Sequence, residues 1–335
     1  MARPRRVLNP PNPFERDRVE WEVPTDARLE VFEEHAKSVV SENRSPDIGF
    51  RYSVNPYRGC FHGCIYCYAR PSHQYWGFGA GTDFDRKLIV KVNAPELLER
   101  RLRGRGWGGE TIAFSGNTDC YQPLEAAYEL TRACLEVCAR RRNPVAVITK
   151  STLVRRDAEL LASLHERAGC RVAISIAFAD DALRRVFDPF APPAAARFET
   201  VRRLADEGLR VSVGLAPIFP GLNDAEIPEL LERSKEAGAS SAWMSLGRLP
   251  RETQPYFLER VRAELPTLAA KIENGLRDTR AGALDDARFG DRMRGRGPRW
   301  QLIERVFDVH ARRLGLTSKE PEPEPPRRGQ LDLGL

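Results

Sequence analysis

Residues 55–68 read Asn55-Pro56-Tyr57-Arg58-Gly59-Cys60-Phe61-His62-Gly63-Cys64-Ile65-Tyr66-Cys67-Tyr68. Three cysteines at C-x3-C-x2-C spacing follow a short candidate strand at Arg51 to Val54, and no fourth Cys or His stands at the usual spacing. A closed structural zinc site needs four ligands, whereas three thiolates on a cubane leave one iron open to a substrate or cofactor. The spacing therefore favours a cluster held by Cys60, Cys64 and Cys67. Zinc, completed by His62 or His73, is the competing reading, and His62 otherwise reads as a solvated loop residue.

On the C-terminal side of this stretch, apolar β-branched runs recur at Thr111 to Phe114, Val145 to Thr149, Arg171 to Phe178, Arg210 to Leu215 and Ser241 to Leu246. Their starts lie 26 to 39 residues apart, the size of a βα unit. Helix-like stretches fill the gaps. Leu124 to Arg141 puts Ala127, Leu130, Cys134, Val137 and Cys138 on one face. Asp157 is placed to cap a helix carrying Leu160, Leu161 and Leu164, which Gly169 ends. Phe198, Val201, Leu204 and Ala205 repeat the pattern before Gly208, as do Ile227, Leu230 and Leu231 before Gly238. The alternation predicts an α/β fold, a partial (β/α)6-type barrel with ligands at the carboxyl ends of its strands. The expected division is an N-terminal extension at 1–45, the core at 46–252, a C-terminal helical cap at 253–318 and a flexible, Pro-rich, charged tail at 319–335.

With 335 residues, 41% of them hydrophobic, the chain can bury one large core. No apolar run approaches the roughly 18 to 20 residues that span a bilayer, so no membrane association and a cytoplasmic location are expected. The formal charge of +6 is a weak pointer to nucleic acid. Seven cysteines, three of them within eight residues, suit a reducing compartment and metal binding better than disulfides. Cys134 and Cys138 read as small core hydrophobes, and Cys170 as the start of a buried strand. Cys120 follows a strand end, where it is a candidate catalytic thiol as well as a core residue.

At the cysteine stretch the chain resembles the radical S-adenosylmethionine (SAM) superfamily, and more closely the branch containing spore photoproduct lyase and related DNA-repair proteins. The resemblance covers about residues 46–250. It implies a [4Fe-4S] cluster on Cys60, Cys64 and Cys67, with SAM chelating the open iron and yielding a 5′-deoxyadenosyl radical. Tyr66 matches the position that contacts adenine. Ser115-Gly116-Asn117-Thr118-Asp119 stands where relatives bind the SAM amino group, although it departs from their commoner Gly-Gly-Glu. Lys150 matches a lysine paired with the SAM carboxylate, and Ser175 a serine at the same cofactor; an ammonium and a hydroxyl suit those tasks. Ala216-Pro217-Ile218-Phe219-Pro220-Gly221-Leu222-Asn223-Asp224 resembles the segment that closes over adenine. Arg197 either bridges this site or lies on a helix surface.

That branch returns hydrogen to its substrate from a second-strand cysteine, whereas the matching position here is Gly116, with Cys120 four residues on. The expected substrate is a nucleic acid or nucleotide, DNA or RNA; Tyr75-Trp76-Gly77-Phe78 and Arg100 to Trp107 offer contacts to phosphates and bases, and read equally well as surface arginines and core tryptophans. Modification of a protein or peptide is the alternative, and an iron-sulfur interaction or redox-sensing module is another class. A flavodoxin- or ferredoxin-type donor is the implied source of electrons. The ending Gln330-Leu331-Asp332-Leu333-Gly334-Leu335 resembles the hexapeptide that docks on DNA sliding clamps, presented behind a Pro- and Glu-rich tether at Glu320 to Arg328.

Overall fold

The computed structural model describes residues 28–317, so the hexapeptide at Gln330 to Leu335 lies outside the described residues. Strand β1 (Glu30–Glu34) is followed by β2 (Val40–Glu42), β3 (Tyr52–Val54), β4 (Tyr57–Arg58) and β5 (Lys87–Lys91), with helix α1 (Asp83–Arg86) just before β5. Then come α2 (Ala94–Arg103), β6 (Ile112–Phe114), α3 (Glu125–Tyr128), α4 (Leu130–Arg140), β7 (Val145–Thr149), α5 (Ala158–Arg167) and β8 (Cys170–Ser175). Helices α6 (Asp181–Phe187) and α7 (Ala194–Asp206) lead to β9 (Val211–Ile218), α8 (Ile227–Glu236) and β10 (Ser241–Leu246). Three helices finish the described chain: α9 (Gln254–Glu264), α10 (Pro266–Asp278) and α11 (Gly297–Arg313).

Seven strands form one sheet in the order β10-β9-β8-β7-β6-β3-β2, parallel at every ladder except β2 on β3. Sequence neighbours are spatial neighbours from β6 to β10. Each crossover therefore steps one strand along in the same sense, the arrangement that curves a sheet into a barrel and keeps its helices outside. The sheet has six parallel strands and ends at β10 and β2, as expected of a partial barrel. The β10 edge is not left bare, because Ala242 N–H donates to the Leu316 carbonyl at 2.8 Å.

Strand limits at Val145–Thr149 and Ser241–Leu246 coincide with the apolar runs. Two expectations change. The helix foreseen over 124–141 breaks at Glu129, whose φ is +51°, leaving Ala127 exposed. Glu125 turns its buried carboxylate to the open N–H groups of Thr131 (2.8 Å) and Arg132 (3.2 Å), so it starts a second helix rather than continuing the first. Asp157 makes no cap bond; it is fully buried and accepts from the Tyr121 hydroxyl and from Arg132 and Arg156. Of the two readings open for Trp107 the core one holds, since it packs on Tyr52 and donates to Asn143 Oδ1 at 2.7 Å. A second, three-stranded sheet (β1-β5-β4) has no counterpart in the sequence reading.

Candidate active site

The cysteine stretch is a loop between β4 and the 3-10 turn at Arg70–Trp76, whose Arg70, His73 and Gln74 are buried. Two glycines make it possible. Gly59 (φ +72°) and Gly63 (φ +66°) have left-handed backbones, and a Cβ would meet the Phe84 carbonyl at 2.7 Å or the Phe190 ring at 2.9 Å. Cys60 N–H donates to Phe84 O (2.9 Å), and Cys67 N–H to Cys64 O (3.2 Å). Arg70, 0% exposed, donates to the carbonyls of Cys64 (3.0 Å), Gly63 (3.1 Å) and Gly81 (2.6 Å), and pairs with Asp85. Gln122 grips the same loop from the opposite segment, accepting from Phe61 N–H (2.9 Å) and donating to Gly59 O (3.0 Å). The backbone is thus spoken for, while all three thiols are free of disulfides.

Burial pushes the Cys64 thiol well up, with Asp188 adding to the effect, and pushes Cys67 up to about 11. Thiols in this state need a cation or metal to become thiolate ligands. Among the described residues no three His, Cys, Asp or Glu side chains converge on a single ion. A cubane binds each thiolate at a different iron, so it does not require such convergence.

Four strand ends face this loop. After β6, the N–H groups of Asn117 (2.9 Å) and Thr118 (3.3 Å) converge on Asn55 Oδ1, and Gly116 O accepts from the Tyr68 hydroxyl at 3.0 Å. Asp119 is committed to the protein: it accepts from Thr149 Oγ1 (2.6 Å), Tyr121 N–H (2.9 Å) and Lys150 N–H (2.8 Å), and its other partner is His62 at 3.3 Å. His62 is 2% exposed, which corrects its reading as a solvated loop residue. Burial alone would lower its pKa, but neighbouring Cys60 and Asp119 raise it to about 10. Burial likewise works against Asp119, yet His62 and the surrounding donors hold it at about 2. Cys120 points into the apolar core, fully buried, with its thiol pushed well up by that burial.

Lys150 follows β7, its Nζ 5.8 Å from the Tyr66 ring centroid. Desolvation lowers its pKa, but Asp188 and Cys64 outweigh that and raise it overall. The Tyr66 hydroxyl donates to Asp188 Oδ1, and Arg197 donates to Asp188 Oδ2 at 3.2 Å. Arg197 is buried and also donates to Ser175 O (2.9 Å) at the end of β8, so it bridges rather than decorating its helix. Beyond, β9 carries Ala216 and a cis Ala216–Pro217 bond, and Asn223 donates to the carbonyls of Ala177 (2.7 Å) and Pro217 (3.0 Å), joining two strand ends. Asp188, Arg70, Gln122 and Asn55 escape a reading of the sequence alone. Asp188 follows a helix and precedes a proline, the signature of a turn residue, and nothing local marks it as a partner of Tyr66. A cavity of about 490 Å³ lies elsewhere, lined by Lys37, Tyr52, Leu97, Arg100 and Arg101 at the amino end of β3.

Residues 54–233 match the Radical SAM superfamily model, and the chain belongs to that superfamily. Its members use a [4Fe-4S] cluster and S-adenosylmethionine. An uncharacterized protein of Mycobacterium tuberculosis is 37% identical over 211 residues, 62% of this chain and 62% of that protein's length. An uncharacterized protein of Methanocaldococcus jannaschii is 28% identical over 202 residues, covering 60% of this chain and 72% of that one. In fold, the chain is similar to a spore photoproduct lyase complexed with dinucleoside spore photoproduct, with a TM-score of 0.62 at 14% identity over 85% of this chain and 79% of the lyase. Among the described residues no helix is long and apolar enough to cross a membrane.

Proposed function

We propose that the chain is a radical SAM enzyme acting on a nucleic-acid or nucleotide substrate, with Cys60, Cys64 and Cys67 as cluster ligands. The observation that carries the reading is one juxtaposition: three free thiols on a braced loop, beside the ammonium of Lys150 at the carboxyl edge of a parallel sheet. When bound, the cluster and SAM supply a one-electron cleavage that generates a 5′-deoxyadenosyl radical for hydrogen abstraction. Lys150 offsets the SAM carboxylate, and Asp188, held by Tyr66 and Arg197, keeps that ammonium charged and in place.

The strand ends then take separate tasks. Ser175 and the Ala216 segment line the nucleoside side, and the backbone from Gly116 to Thr118, pinned by Asn55, meets the amino group. Asp119 is a positioning residue, because its oxygens already serve Thr149, Tyr121, Lys150 and His62. Cys120 is the candidate thiol for returning hydrogen, which requires it to move out of the core. The net charge and the dinucleoside bound by the structurally similar lyase support the substrate class. Electrons would come from a flavodoxin- or ferredoxin-type protein. Reconstituted protein should turn SAM over with dithionite, and deuterium-labelled substrate pools should pass label to 5′-deoxyadenosine from DNA or RNA. Label arriving only from a peptide pool would replace the substrate class; no SAM cleavage at all would leave a redox or interaction module.

A further inference from the structure

Away from the thiols, Arg248 and Arg292 stand near Tyr68, the residue after Cys67, and Arg280 joins them through the Arg292 carbonyl. Arg248 follows β10 at the carboxyl edge, Arg280 follows α10, and Arg292 lies in the loop before α11. Arg248 and Arg292 both act electrostatically on Tyr68. Arg280 is 5% exposed. Its Nη2 donates to the carbonyls of Gly247 (2.9 Å) and Arg292 (3.3 Å), but its Nε and Nη1 are buried with no hydrogen-bond partner, as is Nε of Arg248. Buried guanidinium donors are ordinarily satisfied, so these three positions mark a cluster whose positive charge is not fully met by hydrogen bonds.

The neighbouring carboxylates do not supply it. Arg292 is already paired with Asp47 at 2.5 Å, and Asp286 is taken by Arg288 at 3.0 and 2.6 Å. Asp285 faces Arg248 and Arg280 electrostatically, yet its Oδ1 is itself buried without a hydrogen bond. Three guanidiniums against Asp47 and Asp285 leave a positive charge over. Two aromatic faces flank the group: Tyr68 is 49% exposed, and Phe289, 62% exposed, has the Arg292 guanidinium 4.7 Å from its ring centroid.

We propose that Arg248, with the buried charge of Arg280 behind it, receives a backbone phosphate of the substrate strand, laying it across Tyr68 beside the cysteine loop. This rests on the nucleic-acid reading above and gives it a phosphate subsite. A guanidinium fork matches phosphate oxygens, and stacking faces next to it suit a single strand better than they suit an acidic peptide. The phosphate contact fixes where the strand lies and carries no sequence information.

The test is binding of a labelled single-stranded oligonucleotide, as DNA and as RNA, to reconstituted wild type, Arg248→Gln and Arg280→Gln. Arg202→Gln, which loses an exposed arginine paired with Glu199 on its own helix, controls for charge alone. Iron content reports an intact loop in each preparation. Each site variant should bind about tenfold more weakly, and its salt dependence should lose roughly one phosphate contact, with the control unchanged. Should Arg280→Gln fail to fold, Arg248→Gln and an oligonucleotide with neutral methylphosphonate linkages, offered to wild type, decide the same question. Wild-type affinity in both site variants would overturn the subsite and leave the nucleic-acid reading standing. Binding of neither DNA nor RNA by wild type would overturn the two together.

Discussion

Arg70 and Arg280 are both buried guanidiniums, and they differ in what surrounds them. Arg70 gives its donors to four carbonyls and to Asp85, and its guanidinium lies 4.2 Å from the Tyr256 ring centroid. Arg280 has two carbonyls for one nitrogen and none for the other two. A buried donor left unmade costs about 1 to 3 kcal/mol, so the first residue builds its surroundings while the second is retained at the expense of the fold's stability. The contrast separates two kinds of region. The cysteine loop is braced on every side before any cofactor arrives, whereas the arginine group beside Tyr68 is incomplete without an anion.

The largest effects belong to the braced loop. Cys60→Ala, Cys64→Ala and Cys67→Ala should each lower iron from about four per chain and abolish 5′-deoxyadenosine formation with dithionite. Retention of cleavage in all three would end the assignment of these ligands. Next comes the bracing itself. Arg70→Met leaves Asp85 buried with only the more distant Arg86, at 4.0 Å, so urea unfolding should show a loss of about 3 kcal/mol. A double change, Arg70→Met with Asp85→Leu, should recover part of it, since removing both charges is far cheaper than removing one. A full loss in the double variant would mean that the carbonyl contacts, not the ion pair, hold the loop.

The legibility of the two regions follows the same divide. Three cysteines within eight residues are visible because they crowd on one loop, and β7 is visible because it is a continuous apolar run. Strand β5 is as buried but has lysines at both ends, and it pairs with Glu30–Glu34, a strand rich in glutamate. Its existence depends on partners that a local pattern does not name. Glu125 reads as a helix interior residue until its carboxylate is seen serving the next helix. His62 defeats a local reading for a similar reason: its partner Asp119 is 57 residues away, at 3.3 Å. Lys150, Ser175 and Ala216 are legible through resemblance, and the structure brings them to one edge of the sheet, while Asp188, which ties Tyr66 to Arg197, has no linear signal at all.

A middle-sized effect sharpens the comparison at Lys150, a cation whose neighbours are in place but whose proposed acceptor comes with the cofactor. Lys150→Ala should weaken SAM binding by about 1.5 to 3 kcal/mol, the range for a hydrogen bond to a charged group, with iron content unchanged. Equilibrium dialysis with labelled SAM measures it. Equal affinity in the variant would place the carboxylate elsewhere.

The smallest effect is expected at Arg280, and its smallness is the point. Methionine has a similar length, adapts to irregular space and carries no charge to desolvate. Arg280→Met removes two nitrogens that have no partner and one that serves Gly247 and Arg292, so the gain and the loss oppose each other. Replacing a buried charge by an apolar side chain of similar volume is often neutral or stabilising, so urea unfolding should move by less than about 1 kcal/mol in either direction. Arg70→Met, the same chemical change in a satisfied setting, supplies the reference in the same assay. If the two variants lost equal stability, Arg280 would be as structural as Arg70, and its open donors would have found acceptors within the folded chain. If Arg280→Met is neutral, the guanidinium is free to serve a ligand, and added oligonucleotide should raise the urea midpoint of wild type more than that of the variant.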